Sequence, residues 1–171
     1  MEGLFEPIKV FPIPSKTQEK IIERLSQKEI TLDEIVNFED ALFLLDKRAF
    51  KIYFREYKRR SAKYEHKFKG QLDDIQIQAF DHWLRVKILV EEAVKAILSY
   101  YNIVGSVSIV YHSLAMKVIK IIKRVHPRQW ERTIKKEIEI WKVRYNADEK
   151  ILRATALAAA KIAFRHYYHT G

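Results

Sequence analysis

Six histidines and 22 carboxylates are the side chains through which this chain could hold a metal or move a proton, because it has no cysteine. The missing thiols exclude disulfides, thiolate catalysis and cysteine-based zinc sites. His166 and His169 stand three apart, a spacing that lets two imidazoles on one helix face share a metal. A carboxylate-bridged di-iron site needs Glu-x-x-His on two helices, and a metalloprotease needs His-Glu-x-x-His on one. Neither pattern occurs. Two imidazoles near a helix C-terminus are favoured there by the helix dipole, and that is the reading adopted. His82 falls on an apolar face and reads as a core histidine.

The carboxylates are no more suggestive of catalysis. Asp73 and Asp74 form an acidic pair, but a magnesium site would repeat a carboxylate one turn later, where Gln76, Ile77 and Gln78 stand. Acids in a first helical turn need no further purpose. Glu91 and Glu92 are adjacent and point about 100° apart on a helix, so they are not an acid–base pair by themselves. There is no phosphate loop, dinucleotide fingerprint or nucleophile elbow, and only four glycines from which to build one. No catalytic residue, metal site or cofactor is assigned.

The positive charge is more informative. Residues 47–69 hold ten Lys or Arg against Glu56 and Glu65, a local +8, and residues 117–136 hold eight against Glu131, a local +7. The whole chain is +10, so the remainder is net acidic. Charge concentrated in this way attracts polyanions. On a helix most of the basic residues of the first block separate from Phe50, Tyr53, Phe54, Tyr57, Tyr64 and Phe68, which fall within an arc of about 100°. That aromatic stripe is expected to be core. The phosphate-contacting candidates are Lys51, Arg55, Lys58, Arg59 and Lys63, extended by Lys117, Lys120, Arg124, Arg128 and Lys136.

The elements that carry these residues are expected to be helices throughout. The chain has 171 residues and is 48% hydrophobic, enough for one domain with a substantial core. Four Gly and four Pro are too few for a sheet's turns. The expected fold is a single-domain, all-α bundle of about five to six helices, two of them long, over residues 15–171, behind an extended, proline-punctuated arm at 1–14. Abundant Lys and Glu with three Asn and no Cys give a thermophile-like composition.

Ser15 with Gln18 caps a first helix to about Gln27. Thr31-x-x-Glu34 is a capping box whose helix is expected to run on to Lys69, where Gly70 can stop it, with a kink allowed on the way. Within it Ile35, Phe38, Leu42, Leu45, Ala49 and Ile52 make a short coiled-coil-like seam. The next helix, from about Leu72 to Tyr101, is apolar nearly all round outside a strip at Asp81, Arg85 and Glu92, and is expected to be central. A fourth covers about 108–125, a fifth starts at Pro127, and Asn146-x-x-Glu149 caps a sixth, rich in alanine. Small side chains suit close packing within the bundle or across an oligomer interface.

Ala96–Met116 is long enough to span a membrane and carries no charge, but its serines, Asn102 and Gly105 read as a turn between two buried helices. No transmembrane segment is expected. With no secretory or transit pattern at the N-terminus and no cysteine, the expected location is cytoplasmic. The joint at His126-Pro127 lacks the glycine of a helix-turn-helix, so phosphate contact is expected rather than base reading. The expected function is non-catalytic binding of nucleic acid, DNA or RNA, with an anionic membrane surface as the lesser partner. The chain is expected to be at least dimeric under either reading, and the alternative function is that of a structural homo-oligomer whose basic surface serves solubility only.

Overall fold

The computed structural model describes residues 13–168, which form eight α-helices and no strand. The arm expected over 1–14 lies outside the described residues except for Ile13 and Pro14. The helices are α1 (Lys16–Gln27), α2 (Leu32–Val36), α3 (Glu39–Leu42), α4 (Lys47–Lys67), α5 (Asp74–Tyr100), α6 (Ser108–Arg124), α7 (Trp130–Tyr145) and α8 (Glu149–Tyr168), with 3-10 turns at Gly105–Val107 and Pro127–Gln129.

Local signals set most of the helix starts. Ser15 and Gln18 form a reciprocal capping box on α1, and Asp73 and Gln76 form another on α5. Asp73 is therefore spent on the helix end. The Gln18 amide also donates to the Leu44 carbonyl at 2.8 Å, tying α1 to the end of α3. α8 is capped by Asp148, whose carboxylate accepts from the Lys150 and Ile151 amides at 2.8 and 3.3 Å. Asn146, expected to fill that role, is instead the left-handed residue (φ 50°) that ends α7.

The long helix expected from Thr31 to Lys69 is three helices. Thr31 does accept from the Glu34 amide at 3.1 Å. The chain then leaves the helix at Asn37 and returns to a long one only at Asp46, whose side chain caps α4 by accepting from the Ala49 amide at 2.8 Å. The breaks occur where side chains from elsewhere in the fold satisfy freed carbonyls: Lys161 bonds the carbonyls of Glu34 and Asn37, and Gln18 bonds that of Leu44. The coiled-coil-like seam at 35–52 is interrupted with them.

The alanine-rich helix is at the centre, where α5 was expected. Every residue from Ala154 to Ala163 is buried, and α8 packs against α1, α2, α3, α5, α6 and α7. Without bulky side chains an alanine helix offers several faces to close neighbours. Its alanine stretch is thus used inside the fold. One continuous core joins α8 to the buried stretch of α5 from Leu84 to Leu98 and to Leu114, Val118, Ile122 and the fully buried Trp130. Glu92, expected in solvent, is 6% exposed, and its carboxylate is met by Lys95 at 2.7 Å. The 3-10 turn and α6 together, Gly105–Arg124, are the one described helical segment long and apolar enough to cross a membrane by length and composition, and the apolar face of α6 is packed on α5, α7 and α8. The stretch 96–116 forms the end of α5, a turn and the start of α6, as its turn residues implied.

Candidate nucleic-acid interface

α4 has one principal neighbour, α5. The two form a hairpin turned by Gly70, which sits at φ +76° and so needs the freedom of glycine. Contact runs along the aromatic residues: Tyr53 is buried, and Tyr64 meets Phe80 of α5 with ring centroids 4.8 Å apart. Arg60 also faces α5, where its guanidinium donates to both Glu91 oxygens at 3.2 and 3.0 Å. Hydrogen bonding to that carboxylate, ahead of the opposing effect of burial, holds the Arg60 pKa above its usual value. One of the ten cations counted in the block is therefore part of the hairpin seam.

The outer surface of α4 carries the expected set. Lys51, Arg55, Lys58, Arg59 and Lys63 are all exposed, spread over about 18 Å of helix at 1.5 Å per residue. Arg59 makes an ion pair with Glu56 at 2.8 Å, and that hydrogen bond keeps the Glu56 carboxyl below its usual pKa. The other four have no ion pair with a described residue. The aromatic stripe departs from expectation on one flank. Phe50 and Phe54 are 41% and 63% exposed, because a helix packed on a single partner buries only the arc facing it.

The second set sits elsewhere. Lys117, Lys120 and Arg124 line an exposed stripe of α6, Arg128 lies in the 3-10 turn and Lys136 on α7, all exposed. Lys117 approaches Glu137 of α7 at 3.8 Å. These helices pack on α8 and on each other, whereas α4 packs on α5. The two sets are therefore on different elements, one on the hairpin and one on the helices around α8.

Two clusters of side chains lie where α5 meets α4 and where it meets α8. The Tyr57 hydroxyl of α4 donates to Asp81 and accepts from Arg85, whose guanidinium lies 4.5 Å from the Tyr57 ring. One residue after Asp81, His82 packs on Tyr167 of α8 at 4.8 Å, and Lys123 of α6 lies 5.7 Å from the same Tyr167 ring. Burial, with help from His82, Arg165 and Arg85, pushes His166 down to about 4, so it is neutral at pH 7. No group of three or more His, Cys, Asp or Glu is placed to hold a metal among the described residues. His169 lies outside them. Nothing in the sequence spacing pairs Tyr57 with Arg85 or Lys123 with Tyr167; only the packing of the helices does.

No known protein family, curated protein or solved structure matches the chain.

Proposed function

We propose that this chain binds nucleic acid without catalysis, through phosphate contacts from the outer face of α4. The observation that carries the reading is the one-sided packing of α4: Lys51, Arg55, Lys58 and Lys63 are exposed on a helix whose opposite side is held by α5, with no ion pair to a described residue. A cationic row on a rigid element contacts phosphates at little ordering cost, and the gain comes from counterion release. Lys117, Lys120, Arg124, Arg128 and Lys136 widen the basic surface around α6 and α7.

Fluorescence anisotropy with labelled duplex DNA, single strands and anionic vesicles over a salt series tests the proposal. Binding weakens with salt by about 0.9 log units per log unit for each phosphate contact on B-DNA. The triple variant Arg55→Gln, Arg59→Gln, Lys63→Gln flattens the slope by about two units rather than three, because Arg59 must first leave Glu56. Its stability stays within about 0.5 kcal/mol of the parent. An unchanged slope and affinity in that variant reduces the α4 face to a solvated surface. Preference for vesicles over every nucleic acid moves the partner to a lipid headgroup.

A second reading, a homo-oligomer, is favoured by Phe43, Phe50 and Phe54, which remain 62%, 41% and 63% exposed. Light scattering on the full chain separates a 20.4 kDa monomer from a dimer.

A further inference from the structure

Beneath the turn of the hairpin lies a cavity of about 450 Å3, lined among others by Tyr64, Phe68, Lys69, Leu72, Ile77 and Phe80. Its volume falls in the range of about 300–1,000 Å3 usual for small-ligand sites. Three of its walls are aromatic. Tyr64 and Phe68 lie nearly parallel, 7° apart with centroids at 6.1 Å, and Phe80 stands edge-on to both at 4.8 and 6.2 Å.

Such a site could take a flat aromatic group or a large organic cation, and the surrounding charges decide between them. Lys69 is at the rim, the Lys67 ammonium already lies 5.4 Å from the Phe68 ring, and Lys63 precedes Tyr64 on α4. Of the two carboxylates that line the cavity, Asp81 is engaged by Tyr57 and Arg85, which leaves Glu65 against Lys69 on the lining and Lys67 beside Phe68. A cation would meet net repulsion. A ring carried on a phosphate backbone would find stacking partners inside and ammonium groups outside.

We infer that this cavity takes an unpaired nucleobase of single-stranded nucleic acid, stacked on Tyr64 and Phe68, while Lys63, Lys67 and Lys69 hold the neighbouring phosphates. The inference rests on the phosphate-binding reading of α4 and names its substrate class. Duplex bases are already stacked on one another, so this site distinguishes single strands from duplexes.

The test uses the full chain and three labelled probes at one salt concentration: an oligothymidylate, an abasic strand of the same length and charge, and a duplex. The oligothymidylate binds about tenfold tighter than the abasic strand, the effect of one stacked base. Phe68→Leu keeps an apolar side chain but removes the π face. It weakens oligothymidylate about tenfold, leaves the abasic strand and the duplex unchanged, and keeps the melting temperature. Phe68→Tyr restores the preference. Equal affinity of the parent for oligothymidylate and abasic strand overturns the base pocket and leaves the phosphate reading standing, as does a Phe68→Leu variant that retains the preference. Failure to bind any of the three overturns both.

Discussion

Lys161 is completely buried, and its ammonium makes three hydrogen bonds: to the Glu34 carbonyl at 2.7 Å, the Glu34 carboxylate at 2.9 Å, and the Asn37 carbonyl. It closes the C-terminal end of α2, where free carbonyls and the helix dipole both favour a cation. Burial pulls its pKa below the ordinary value, with the Glu34 carboxylate opposing. Burial alone would raise Glu34, but hydrogen bonds and charge from Lys28 and Lys161 outweigh it and hold the carboxyl below its usual 4.5. Lys161→Met keeps the apolar stem yet orphans two carbonyls, so urea unfolding at pH 7 should show a loss of about 2–4 kcal/mol. The same variant carries a pH signature. Because Glu34 has a lower pKa folded than unfolded, its contribution is present above pH 4.5 and is lost as acid titrates it. Lys161→Met should weaken that acid-induced loss without abolishing it, since Lys28 still pairs with Glu34 at 2.9 Å.

At the scale of elements, the hairpin of α4 with the first half of α5 is held differently from the rest. Its contacts are largely between two helices, and Ile75 and Ile77 near its turn are 79% and 51% exposed. An arc buried against one neighbour makes adjacent aromatics unequal. Tyr53 is buried and packs on both Phe54 and Tyr57, while Phe54 faces solvent. Tyr53→Ala should therefore cost about 3 kcal/mol, whereas Phe54→Ala should stay within about 0.5 kcal/mol. Thermal unfolding of the two variants checks this, and equal losses would show α4 packed on both sides. Burial raises the Tyr53 hydroxyl pKa, as expected of a ring in that seam.

For the whole molecule, α8 is what the helices other than α4 share. Ala156, Ala158, Ala159 and Ala160 are all at 0% exposure, so no arc of the helix is free to accept a larger side chain. Overpacking a dense core usually costs about 1–3 kcal/mol. Ala158→Leu is expected at the top of that range by chemical denaturation, because helices on several sides must give way together. A neutral Ala158→Leu would mean that α8 has a free side. The same geometry accounts for the charge map. With α8 and the middle of α5 taking up the core, the basic residues of α4, α6 and α7 are left on the outside.

By itself the sequence determined what depends on neighbours within a turn or two: the all-α class, the capping box at Ser15 and the cap at Thr31, the turn between α5 and α6, and the exposure of Lys51, Arg55, Lys58, Arg59 and Lys63. Periodicity and caps act over such distances, so they are legible along the chain. Tertiary structure decided what depends on groups far apart in sequence. The break after α2 is held by Lys161, more than a hundred residues away, and the exposure of Phe54 follows from α4 having one main partner. The burial of Glu92, the central place of α8 and the contacts of Tyr57 with Arg85 and of Lys123 with Tyr167 have the same origin. A helical wheel shows which residues share a face, but only the number and placement of neighbouring helices settle how wide an arc is buried and which distant side chain satisfies a freed carbonyl.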